Sequence, residues 1–271
     1  MRTKHEGKCA LCERVAELRN SHIIPEFLYG TLYDEKNRFK TFGKVGRPEV
    51  GLEQKGFRER LLCDHCEQRF CRYEHVAALF YRGTLEAFAA QAEEVAARGL
   101  KFIRVSKDAQ PTAQQVPALL HVEGVDYAPL KLFLLSLLWR MGISRLHFFR
   151  EVELGPHETR IRKMLLNDDP GEPGEYACQL CLIEAYGRLL TDYQSQPQRS
   201  RQDGRTFYRF YSTGVRFDFC ASNQPIHRGF VELYCIKPQI EFIWAVDSIH
   251  KHPDLVAELL RLGYSVGWDK P

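Results

Sequence analysis

Hydrophobic positions along this 271-residue chain change period several times, and each change marks an element. Phe70, Tyr73, Val76, Ala77, Phe80 and Tyr81 recur at three- and four-residue spacing. Leu85, Phe88, Ala89, Ala92, Val95 and Ala96 continue that period. The pattern predicts one long helix or two across 66–98, with Gly83-Thr84 as the place for a break and Gly99 as a C-terminal cap. From Tyr127 to Arg145 the apolar residues run almost without interruption, as in a helix buried on all sides. A further helix is expected over Pro156 to Leu166, and a closing amphipathic one over Pro253 to Leu262, ended by Gly263.

Alternation predicts strands elsewhere. A short one is expected near Ala16 to Ile24 and another at Lys101 to Val105. The last third reads as strand-rich: Tyr176 to Ile183, Thr206 to Tyr211, Val215 to Cys220, Phe230 to Ile236 and Gln239 to Val246, with a turn at Pro238. Residues 31–60 read as a long connection, Asp108 to Pro117 and Asn167 to Glu175 as loops, and Gln194 to Gly204 as the stretch least suited to order. The fold class is α+β. Residues 1–100 form a module with a long helix, and 101–271 form a second α+β region whose C-terminal part is antiparallel and β-rich.

Composition changes this picture little. Hydrophobic residues make up 44% and charged residues 27%, ordinary for a globular chain. The net charge of +3 permits a local nucleic-acid patch without arguing for one. No apolar run follows Met1, so no signal peptide is expected, and Leu130 to Met141, interrupted by Lys131 and Arg140, is too short to span a bilayer. A cytoplasmic protein is the expectation.

The nine cysteines carry the strongest chemistry. Cys9-Ala10-Leu11-Cys12 and Cys63-Asp64-His65-Cys66 are two Cys-x-x-Cys pairs separated by 50 residues. Each suits a tight turn that aims two thiolates at one ion, and two such turns complete a closed tetrahedral zinc site. An odd cysteine count with this spacing suits a metal site in a reducing compartment better than a disulfide framework. Cys71 is expected to be a buried thiol on the long helix. Cys178, Cys181, Cys220 and Cys235 raise the question of a second metal. On a strand, however, Cys178 and Cys181 would face opposite sides, and the bland reading as small buried hydrophobes is preferred.

Between the pairs stands Asn20-Ser21-His22-Ile23-Ile24-Pro25. Two Cys-x-x-Cys pairs with His-Ile-Ile-Pro between them resemble a zinc-stapled HNH endonuclease domain, of the treble-clef, ββα-metal type, over roughly the first 75 residues. The resemblance implies a metal-dependent nuclease that cleaves phosphodiester bonds in DNA, with RNA also open, and bacterial proteins of this kind often act in genome defence or mobile-element contexts. It implies a structural Zn²⁺ on Cys9, Cys12, Cys63 and Cys66, and His22 as general base. Where the family has Asp or His before the base, this chain has Ser21. Arg58 stands at the place of the middle Asn, and Glu67 at that of the last His or Asn.

In that frame Glu67 is the candidate ligand for a catalytic Mg²⁺ or Mn²⁺, Arg58 a phosphate contact, and Asn20 an orienting group if its strand is regular. Glu74 and His75 are weaker candidates, and His65 is expected to point away from zinc. Lys36, Arg38, Lys40, Lys44 and Arg47, interleaved with Phe39 and Phe42, read either as a phosphate-contacting loop or as a solvated hairpin with inward aromatics. Arginines 199, 201, 205, 209 and 216 among Phe207, Tyr208, Phe210 and Tyr211 resemble a nucleic-acid surface, or equally a hairpin with one buried face. The alternative to a nuclease is a non-catalytic zinc-stapled module that binds nucleic acid or protein.

Overall fold

The computed structural model describes residues 5–42, 50–105, 118–185, 188–224, 226, 231, 235–237, 241–249 and 252–261. At the N-terminus β1 (Glu6–Lys8), β2 (Val15–His22) and β5 (Arg58–Cys63) form an antiparallel sheet in the order β1-β2-β5. Helix α1 (Asp64–Ala90) leaves directly from the end of β5. The connection between β2 and β5 holds a short 3₁₀ turn (Glu26–Leu28) and a hairpin, β3 (Arg38–Phe42) with β4 (Val50–Gln54). Phe39 is buried there, its ring 5.1 Å from Tyr29 and 5.9 Å from Phe57, so its aromatic face turns inward.

Gly83-Thr84 does not break α1. A Cβ at Gly83 would lie 2.8 Å from Cζ of Phe102, so the glycine admits a neighbouring strand against the helix. The Thr84 hydroxyl donates back to the Phe80 carbonyl at 2.8 Å. The helix ends at Ala90, with Gln91 in the left-handed region at φ 50. Val95 and Ala96, expected to continue it, instead belong to β6 (Glu94–Ala97). Gly99, at φ 79, turns β6 into β7 (Leu100–Val105) and is not a helix cap. A short apolar stretch satisfies either period, and pairing with β7 decides it.

The large sheet adds β8 (Ala118–Glu123), β9 (Cys178–Ala185), β10 (Arg188–Leu189), β11 (Gln198–Gln202), β12 (Arg205–Ser212), β13 (Val215–Ala221) and β14 (Glu241–Ser248). Its order is β11-β12-β13-β9-β14-β8-β7-β6, with β10 beside β9, and only β9 and β14 pair in parallel. Gln194 to Gly204, the stretch whose composition is least suited to order, contains β11. Asp203 and Gly204, at φ 49 and 75, make the two-residue turn into β12 that an Asp-Gly pair favours. The strand expected over Phe230 to Ile236 is not what the described residues there show: Val231 is helical, its carbonyl accepting from the Cys235 N–H at 3.2 Å, and Cys235 makes an isolated bridge to Gln179. Pro238 and Gly263 lie outside the described residues.

Helix α2 (Tyr127–Ile143) is the centre of the molecule: every residue from Leu130 to Met141 is buried. It packs against α1 and against α3 (Pro156–Leu166). Even Lys131 is enclosed, its Nζ donating to the carbonyls of Glu175 and Tyr176 at 2.8 and 2.9 Å, and burial lowers its pKa to about 8. One hydrophobic cluster runs from Cys9 to Ile236, and the boundary expected near residue 100 falls in the β6–β7 hairpin. A smaller cluster lies under α4 (Pro253–Arg261). No helix among the described residues is long and apolar enough to cross a membrane.

Candidate functional site

The first cysteine pair sits in the turn of the β1–β2 hairpin, where the Cys9 N–H donates to the Arg14 carbonyl and the Glu13 N–H to the Cys9 carbonyl, each at 2.9 Å. In the second pair Cys63 caps α1 and Cys66 lies in its first turn. Strand pairing of β2 with β5, Leu18 opposite Cys63, brings the two turns together. All four Sγ atoms lie within 4.8 Å of one another, and those of Cys12 and Cys63 are 3.8 Å apart. Four sulfurs at a Zn–S distance of about 2.3 Å in a tetrahedron stand about 3.8 Å apart, so the cluster fits a structural zinc ion. The Cys63 N–H also donates to Sγ of Cys9 at 3.4 Å. Burial pushes the Cys9 and Cys66 thiols up, a cost of gathering thiolates that a bound cation offsets. Helix α3 braces the knuckle, with Arg162 donating to the Leu11 carbonyl at 2.9 Å.

Beyond a register shift between Arg19 and Asn20, β2 is regular: Asn20 faces Arg60, Ser21 faces Glu59 and His22 faces Arg58 across the pair. Directly opposed residues share a face. Asn20, His22, Arg58 and Arg60 therefore share one side of the sheet. On it, Nε2 of His22 lies 2.6 Å from Oε2 of Glu26, which Arg58 approaches to 3.3 Å. The Tyr33 hydroxyl donates to the other Glu26 oxygen at 2.8 Å. Burial and the Arg58 charge lower the His22 pKa below its ordinary 6.5, against the opposing pull of Glu26. The result is an imidazole whose charged form is disfavoured by its surroundings, with a carboxylate beside Nε2.

Ser21 points to the opposite face. Its hydroxyl donates to Oε2 of Glu67 at 2.6 Å, and burial raises the Glu67 pKa although Ser21 and Arg140 oppose the rise. Glu74, two turns further along α1, pairs with the buried Arg140 at 2.8 Å. The structure thus brings His22, Arg58 and Asn20 together and sets Glu67 apart from them. Among the described residues, the four cysteines are the one group of three or more Cys, His, Asp or Glu gathered closely enough for an ion. Glu26, Tyr33 and Arg140 escaped the sequence reading. Glu26 follows His22 by four residues across Pro25, a spacing that could have suggested the pair.

The other candidates divide. Lys36 is exposed, and Arg38 is engaged by Asp34 at 2.8 Å. Lys40 lies in β3, and Lys44 and Arg47 lie outside the described residues. His65 and His75 are exposed, and neither joins the cysteine cluster. Cys71, expected to be buried, is exposed on α1. Cys178, Cys181, Cys220 and Cys235 are buried and form no ion-binding group. Cys178 joins the main core, whereas Cys181 lies beside Arg216 on the other face of the sheet. No protein-family model, curated protein or solved structure matches this chain.

Proposed function

We propose that the chain is an HNH-like endonuclease that hydrolyses phosphodiester bonds in DNA, with His22 as the base. The observation that carries the reading is the pairing of His22 with Glu26 beside Arg58, at the end of a strand in a zinc-stapled strand–helix unit. With Nε2 set against the Glu26 carboxylate, Nδ1 is the nitrogen left to take the proton of the attacking water. Arg58 offsets the charge gathering on the phosphoryl oxygens, and Asn20, on the same face, orients the water. The new P–O bond forms from that water as the P–O bond to the leaving strand breaks, and the leaving oxygen takes a proton from solvent.

The Mg²⁺ or Mn²⁺ that such an enzyme would use does not fit as an ion shared by His22 and Glu67. Neighbouring residues of a strand point to opposite faces, and the Glu67 carboxylate goes with Ser21. The Glu67 carboxylate, which accepts from Ser21, would be the ligand of such an ion on that face. That same placement favours a second reading, a non-catalytic zinc-stapled module that binds nucleic acid or protein. Plasmid DNA and a matched RNA incubated with Mg²⁺, with Mn²⁺ and with chelator discriminate. Cleavage by the wild-type chain that disappears in His22→Ala sustains the nuclease. Absence of cleavage under every condition, or equal cleavage by His22→Ala, leaves the binding module.

A further inference from the structure

We infer that the outer face of the large sheet carries a nucleotide-binding site, distinct from the His22 face. Three cross-strand rows build it. Gln198, Arg209, Asp218 and Gln179 are successive partners across β11, β12, β13 and β9. Ser200, Phe207 and Cys220 form the next row, and Gln202 with Arg205 the third. Opposed residues share a face, and these rows line one cavity of about 560 Å³, a volume in the range of about 300–1,000 Å³ typical of small-ligand sites. The other side of the same strands, with Tyr208, Phe210, Phe217 and Phe219, is buried in the main core. Helix α4 packs at the far end of the outer face, around Tyr211 and Ile183, and none of its described residues lines the cavity.

The lining selects the ligand. Phe207 is half-buried, joins neither hydrophobic cluster and stacks on no other ring among the described residues. Its ring is available as a stacking platform. Arg205 and Arg209 flank it two residues away on the same strand, about 7 Å to each side at ordinary strand rise. Arg209 gives its Nε to Asp218, and its terminal nitrogens form no hydrogen bond among the described residues. Asp218 is held between Arg209 and Arg216, so its charge is already matched. A planar group between two guanidinium groups, rimmed by the amides of Gln179, Gln198 and Gln202, suits a base with phosphate beside it. The amides offer donors and acceptors to a base edge, and base–aromatic stacking with arginine support is how single strands are held.

This inference stands apart from the nuclease reading, because it uses neither His22 nor Arg58. The test is fluorescence anisotropy of a labelled eight-nucleotide thymidine strand on the full-length, zinc-loaded His22→Ala chain. Phe207→Ala is expected to weaken binding roughly 5- to 150-fold, and Phe207→Tyr to retain it. Arg205→Glu is expected to weaken binding and to lower its salt slope by about 1. Near-UV circular dichroism of each variant establishes that the fold is kept. Unlabelled competitors separate the sources. Displacement by thymidine monophosphate marks a mononucleotide site, and displacement by oligonucleotide alone marks a strand-binding site. Inorganic phosphate competing as well as nucleotide, or unchanged binding in folded Phe207→Ala and Arg205→Glu, overturns the inference. Failure of DNA cleavage by the wild-type chain would leave it intact.

Discussion

Nη1 of Arg140 donates to the carbonyl oxygen of His22 at 2.8 Å. The same nitrogen lies 2.8 Å from Oε1 of Glu74, and the guanidinium sits 5.3 Å from the centre of the Phe70 ring. Arg140 is only 1% exposed. One side chain of the central helix therefore ties the end of β2, which carries His22, to α1. Removing it deprives the half-buried Glu74 carboxylate and the His22 carbonyl of this donor. Arg140→Ala is expected to cost about 3–5 kcal/mol in denaturant unfolding, and Arg140→Met less, because volume is kept. Equal losses in the two variants would show that the ionic contacts, absent from both, carry the effect and that the packed volume contributes little.

Zinc is expected at one ion per chain by elemental analysis. Binding energy at a structural zinc is folding energy, so Cys63→Ser should lose the ion and unfold the N-terminal strands and the start of α1. Strong chelator should lower the melting temperature of the wild-type chain. A variant that keeps full stability without zinc would separate the cysteine cluster from folding.

The His22 face carries a pH signature. Its pKa lies below 6.5 in the folded chain, so folded protein binds the proton less readily than unfolded chain. Stability is therefore expected to fall as pH drops from 6.5 through the folded value, and to be unaffected by this group above 6.5. In the nuclease reading, kcat/KM should fall on the acid side with a midpoint below 6.5. Glu26 raises the His22 pKa, so Glu26→Gln should move that midpoint lower still. A midpoint that shifts upward would contradict the assignment of Glu26 as the group holding His22.

Gly83→Ala offers a test of packing against propensity. Alanine is worth roughly 1 kcal/mol over glycine within a helix. Here the added Cβ would meet the buried Phe102 ring at 2.8 Å, and overpacking costs about 1–3 kcal/mol. The net effect expected in urea unfolding is a loss of stability. A gain would mean that Phe102 moves aside freely.

What the sequence alone determined lies where the information is local. The two Cys-x-x-Cys turns announced a metal knuckle, because a four-residue spacing is enough to pair two ligands. The dense apolar run, interrupted only at Lys131, Ser136 and Arg140, announced α2 as a buried helix. The outline of α3 and several C-terminal strands also followed from period and turn chemistry, and the Asp203-Gly204 turn could have revealed β11 on the same grounds. Tertiary structure decided the rest. Val95 and Ala96 suited a helix as well as a strand, and only the open edge of β7 selected the strand. Ser21 and His22 are neighbours in the chain, yet strand alternation sent one to Glu67 and the other to Glu26. Nothing between residues 20 and 75 indicates that Arg140 closes the gap behind them. That contact spans 118 residues, and it exists because burying α2 carries its one arginine there to a carbonyl and a carboxylate that both need a donor.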